Sequence, residues 1–200
     1  MFGMAAPDRT WLYAGLLVAA GFGLASLLKR GPRIRKGEKL LLFGDSLAVG
    51  LAAPLGQLAK DHGVAFAGIG KVGSTVREWA GSGALGLDLR KHLAEKPNVV
   101  LCSLGTNDEY LSRESALGEL PMIESLLELV RASGAELGWI GPPKLPRPGN
   151  GFSEALRTKI ADNRYFHSEA LEIPRGGDNL HPTVKGYAGW AGQIWPWISG

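Results

Sequence analysis

From residue 39 to the carboxyl terminus, short apolar runs alternate with longer segments of helical periodicity, and this alternation limits the available folds more than any other feature. Runs at 40–43, 64–69, 99–104 and 136–140 are of strand length, and a shorter one follows at 164–167. Helical patterns occupy 47–60, 121–132 and 183–195, with Pro121 suited to a first helical turn, where no backbone donor is needed. Strand and helix in repeated succession predict stacked βαβ units. The expected domain is a single three-layer α/β/α body over 39–200, built on a mostly parallel five-stranded sheet of flavodoxin-like kind. Right-handed crossovers place helices on both of its faces.

At 200 residues and 45% hydrophobic composition, the chain can bury one substantial core but not two ordinary ones. The 29 glycines and 12 prolines call for many tight turns. The net charge of +3 invites a nucleic-acid reading until the charges are located. Lys29, Arg30, Arg33, Arg35, Lys36 and Lys39 form one short run, and beyond Lys39 there are 15 basic and 17 acidic residues. The body is thus slightly acidic, which leaves no basic face for nucleic acid. With Cys102 as the sole cysteine, an intrachain disulfide and a cysteine-based zinc cluster are both excluded.

Residues 11–28 are uncharged and mostly apolar, about the shortest length that spans a bilayer. Trp11 and Tyr13 mark one end and Lys29 and Arg30 the other, so the segment reads as a single membrane helix. On this reading 1–10 is a tail and 29–38 a basic juxtamembrane linker. A cleaved signal peptide is the rival, with small residues near Gly23 and Ala25, although the positive charge lies on the wrong side for one. A buried soluble helix is the third reading. The positive-inside rule puts the following domain in the cytoplasm, whereas an envelope polysaccharide as substrate would demand the opposite side.

Functional groups in open parallel sheets gather at the carboxyl ends of the strands. Three glycine-containing polar turns fall there: Gly44-Asp45-Ser46-Leu47, the stretch 70–75, and Gly105-Thr106-Asn107-Asp108. Ser46 stands where a strand gives way to a helix, a position suited equally to a helix N-cap and to a nucleophile beside a positive dipole end. A serine needs a base to act as a nucleophile. Of four histidines, His62 and His92 lie in charged helical surroundings expected to face solvent, and His167 lies beside a short strand. His181 has Asp178 three residues before it, close enough for the carboxylate to reach Nδ1 within a single turn. Asn107 can offer a side-chain N–H and Gly73 an unobstructed backbone N–H to a developing oxyanion. Taken singly, each is better explained as a turn residue, and it is their joint occurrence, in order, at strand ends of one sheet that favours the functional reading.

Together these blocks resemble the SGNH (GDSL-type) hydrolase family. Gly44 to Leu47 matches its first block, Gly73 its second, with Gly70 an alternative, Gly105 to Asp108 its third, and Asp178-Asn179-Leu180-His181-Pro182 its last. The resemblance implies an esterase in which Ser46 is the nucleophile, His181 the base and Asp178 its orienting acid. The oxyanion would be held by the Ser46 N–H, Gly73 and Asn107. No metal or organic cofactor is implied. An ordinary α/β-hydrolase is disfavoured, because the second glycine of the G-x-S-x-G elbow is missing. The expected substrate is a short-chain or O-acetyl ester, on a small molecule or a polysaccharide. Two alternatives are an acyltransferase using the same triad and a noncatalytic membrane-attached binding module. The segment 144–151, rich in proline and basic residues, is expected to form a loop beside the site. Trp190, Trp195 and Trp197 are expected to pack a core rather than a ligand.

Overall fold

The structure, a computed structural model, describes residues 31–200. Five parallel strands form one sheet: β1 (Lys39–Gly44), β2 (Ala65–Gly70), β3 (Val99–Ser103), β4 (Glu136–Ile140) and β5 (Tyr165–Phe166), in the order β2-β1-β3-β4-β5. The central strands β1 and β3 are in register from Leu40 opposite Val99 to Gly44 opposite Ser103. Alternate side chains of a strand point to opposite faces, so a strand covered on both must be apolar throughout. Leu40, Leu42, Val99 and Leu101 join one buried cluster, and Leu41, Phe43, Val100 and Cys102 the other.

The first cluster is closed by α1 (Ser46–Asp61) and the last helix, α7 (Val184–Ser199), through Leu51, Leu55, Trp190 and Ile194. Trp195 is buried there and Trp197 packs against it, as expected of core tryptophans. The opposite face carries α2 (Val76–Ala80), α3 (Ala84–Ala94), α4 (Arg113–Gly118), α5 (Leu120–Ser133) and α6 (Phe152–Arg157). Of these, only α5 is foreseen by the sequence periodicity. Glycines at 81, 83 and 86 interrupt the segment before β3, yet Leu89 and Leu93 still reach the core with Trp79. Tertiary burial overrides weak local propensity here.

The membrane helix read over 11–28 lies outside the described residues, as do the tail before it and the start of the linker. Among the described residues, no helix is long and apolar enough to cross a membrane. The rest of the linker is packed against the domain. Ile34 is buried and its N–H donates to Ile198 O at 2.7 Å, while Pro32 approaches Gly138.

Candidate active site

The turn after β1 depends on Gly44. Its φ is +153°, and a Cβ placed there would lie 1.9 Å from Ser103 O, so neither the conformation nor the space admits a side chain. Asp45 follows as the N-cap of α1, its Oδ1 accepting the Leu47 N–H at 2.8 Å. Ser46 is then the first helical residue, half-buried at the carboxyl edge of the sheet, where the first N–H groups of a helix have no partner within it.

His181 arrives on a separate structure, the loop between Pro174 and Thr183. Arg175 and Pro182 form an antiparallel bridge, Gly176 N–H donates to His181 O at 2.8 Å, and Thr183 N–H to Pro174 O at 2.9 Å. Asn179 turns the chain at φ +57°, a left-handed conformation that asparagine tolerates better than most residues. Within this hairpin Asp178 Oδ1 accepts the Leu180 and His181 N–H groups at 3.0 and 2.9 Å, and Oδ2 accepts from His181 Nδ1 at 2.6 Å. An ionised carboxylate can only accept, so Nδ1 carries the proton and Nε2 is left as acceptor. That nitrogen lies 2.8 Å from Ser46 Oγ. The hydrogen bond from His181, followed by those from the two backbone N–H groups, holds the Asp178 carboxyl down at about 2.

Asn107 precedes a short 3₁₀ turn, Asp108–Tyr110, after β3. Its Nδ2 donates to Ser74 O at 2.9 Å and approaches Asp45 Oδ2 at 3.5 Å, so one amide hydrogen is firmly engaged and the other only weakly. Ser74 is itself buried and tied down, donating to Lys71 O and accepting from Trp79 Nε1. Gly73, one residue earlier, has φ +79°, is exposed, and has no atom within 4 Å of where a Cβ would stand. Gly70 is instead the last residue of β2, and a side chain there would strike Val49. Of the two glycines, Gly73 is the one with open space before it.

Two buried acids accompany these groups, and sequence reasoning quoted both without giving either a role. Asp45 is fully buried, and burial pushes its carboxyl up to about 7, assisted by the nearby Asp108 and opposed by the Leu47 N–H, Thr106 and His181. Asp108 is raised to about 6, again chiefly by burial, although its Oδ1 accepts the Val76 N–H at 3.1 Å. Their signal in the sequence was position alone, each adjoining a residue singled out for chemistry. Partial burial pushes the hydroxyl of Tyr187 in α7 up to about 12, assisted by Asp45 and Asp178.

The other three histidines are elsewhere. His62 Nδ1 lies 2.8 Å from Leu58 O with the ring against Trp195, and His167 is held between Asp162 and Glu169. His92 was expected to face solvent but is half-buried, its Nδ1 3.0 Å from Asp88 O. Cys102 lies in the core, where burial raises its thiol well above the ordinary value and suppresses the reactive thiolate. Among the described residues no group of three or more His, Cys, Asp or Glu side chains could hold a metal ion.

No protein-family model matches the sequence, and no curated protein matches it. Solved structures do. A G-D-S-L family lipolytic protein from Desulfitobacterium hafniense superimposes with a TM-score of 0.59 at 16% identity, covering 81% of this chain and all of that one. LAE5, an α/β hydrolase enzyme from the metagenome of Lake Arreo, gives 0.57 at 16% identity over 82% of this chain and 96% of its own. Axe2, an acetylxylan esterase from Geobacillus stearothermophilus, gives 0.54 at 20% identity over 84% and 99%. The described chain therefore shares the α/β fold of these three proteins along nearly the whole of their length.

Proposed function

We infer that this chain is an SGNH-type serine esterase that hydrolyses carboxylic esters through an acyl-enzyme on Ser46. The observation that carries the reading is the continuous hydrogen-bonded line from Ser46 Oγ to His181 Nε2 at 2.8 Å and from His181 Nδ1 to Asp178 at 2.6 Å. Likeness of fold to an acetylxylan esterase and a G-D-S-L lipolytic protein supports it. So does the order of the four sequence blocks, three of them in turns that follow β1, β2 and β3 and the last in the hairpin before α7.

In the reaction, Ser46 Oγ attacks the ester carbonyl as His181 Nε2 takes its proton, and Asp178 stabilises the imidazolium that results. The carbonyl oxygen becomes an oxyanion facing the Ser46 N–H, the Gly73 N–H and the Asn107 Nδ2 hydrogen that only weakly approaches Asp45 Oδ2 at 3.5 Å. Collapse breaks the bond to the alcohol oxygen, which leaves with the proton from His181. Water then attacks the acyl carbon, its proton passing to His181 and returning to Ser46 as the acid departs.

The site favours short acyl groups, such as O-acetyl on a sugar. The His181 and Asp178 side chains are 38% and 53% exposed, and Gly73 faces open space, an arrangement that leaves a long chain in water. The test is hydrolysis of p-nitrophenyl acetate, butyrate and octanoate by the native protein and by Ser46→Ala. The expected loss in the variant is on the order of 10⁴-fold or more in kcat/KM, with acetate turned over fastest. Equal rates in both proteins would sink the nucleophile, and octanoate preference would sink the short-chain reading.

A further inference from the structure

A cavity of about 470 Å³ lies at the carboxyl ends of β4 and β5, under the segment from Pro142 to Gly149. Its volume falls within the range of small-ligand sites. Neither Ser46, Asp178 nor His181 lines it. It adjoins their surroundings nonetheless, because Glu109, in its wall, is two residues beyond Asn107. In the strand order β4 lies two places from β1, roughly 10 Å at ordinary strand spacing. Cavity and nucleophile thus share one edge of the sheet.

The wall is unusual in its polar groups. Glu109 is only 6% exposed, and its Oε1 accepts the Ser153 N–H at 2.6 Å. Its Oε2 is buried with no hydrogen-bond partner among the described residues, and Gly149 lies so close that a Cβ there would sit 2.1 Å from it. Glu169 repeats the pattern, one oxygen engaged by Arg157 and His167 and the other, Oε2, buried without a partner among the described residues. At the rim the Arg147 guanidinium covers the Tyr110 ring at 4.0 Å from its centroid.

The chemistry of these groups selects the ligand. Glu109, Glu154 and Glu169 balance Lys144, Arg147 and Arg157, so the lining favours neither an anion nor a cation. An acyl chain would bury carboxylates against hydrocarbon and leave them unpaired. The three glutamates are not clustered as metal ligands, since no group of three or more such side chains among the described residues could hold a metal ion. What fits is a neutral group carrying many hydroxyls, which can donate to the carboxylates of the lining, accept from its guanidinium groups and lay its C–H faces on proline rings. We propose that this cavity is a carbohydrate subsite, holding sugar units of the alcohol half of the ester while the acylated unit lies at Ser46. The proposal builds on the esterase reading and adds to it where the leaving group is bound.

The experiment uses the full chain carrying Ser46→Ala, so that no turnover intervenes, titrated calorimetrically with xylotetraose and cellotetraose. Binding of at least one, weakened about tenfold by Arg147→Ala and by Glu109→Gln, is the expected result. Arg147 is exposed, so its replacement leaves the core intact, and glutamine keeps the acceptor for Ser153 N–H. In the catalytically intact protein the same two changes are expected to lower kcat/KM about tenfold for acetylated xylotetraose, while p-nitrophenyl acetate, whose leaving group is too small to span the distance, stays within twofold. Tetrasaccharides that fail to bind at millimolar concentration, that bind equally to all variants, or two substrates that decline together would each overturn the subsite. Absence of Ser46-dependent turnover of p-nitrophenyl acetate would instead overturn the esterase reading, and the titration would still decide what the cavity holds.

Discussion

Asp45 must do two things that pull its ionisation in opposite directions. As an N-cap it is best charged, but in full burial beside Asp108 it is best neutral, and burial wins, leaving its carboxyl near 7. The consequence for stability has a definite sign. An aspartate in an unfolded chain loses its proton near 4 while the folded protein retains it to about 7, so the folded state binds more protons over that window and stability falls as pH rises through it. The slope has a ceiling of about 1.4 kcal/mol per pH unit for one group. Asp45→Asn keeps an acceptor for the Leu47 N–H and abolishes the titration, so the thermal midpoint of the variant should decline less between pH 4 and 7 than that of the native protein. Parallel curves would show that Asp45 titrates normally in the fold. At this scale the sequence named Ser46, Asp178, His181, Asn107 and Gly73 through motif spacing, and all five occupy turns or helix starts along one edge of the sheet. It left Asp45 and Asp108 without a role, because ionisation depends on which side chains surround a carboxyl, and those come from β3, α2 and the turn after β3.

Elements were legible in proportion to how strongly their burial imprints a period. The runs at β1, β3 and β4 are apolar on both faces and appear in the sequence within a residue or so of where they form. The chain between β2 and β3 gave no such pattern, and α2 and α3 went unread, since their inward residues are few and separated by glycines. Nothing in the local sequence says that Leu89 is buried and Leu87, two residues earlier, is 60% exposed; the packing of Trp79 and Ile123 against the sheet decides it. Leu89→Ala is therefore expected to lower the unfolding free energy by about 2–5 kcal/mol in urea titration, and Leu87→Ala by less than about 0.5 kcal/mol. Similar effects at both positions would mean that α3 is not docked as described.

For the molecule as a whole, the domain begins earlier than its first strand. The basic run reads as a linker by composition, yet Ile34 is only 4% exposed and ties the approach to β1 to the end of α7 through its bond to Ile198. Charge conceals the role, because Arg33 and Arg35 on either side face solvent and only the alternate residue turns inward. A protein starting at Gly31 should accordingly melt higher than one starting at Gly37, by roughly 5–15 °C for a loss of about 2–4 kcal/mol. Identical midpoints would return the segment to the status of a linker.

The hairpin from Pro174 to Thr183 carries both Asp178 and His181, and its internal bonds hold the carboxylate and the imidazole to one another. Bringing three side chains from distant parts of a chain into one hydrogen-bonded line would ordinarily require three independent placements. Here two of the three are fixed to one another three residues apart in sequence, so a single long-range placement, that of the hairpin against Ser46, completes the line.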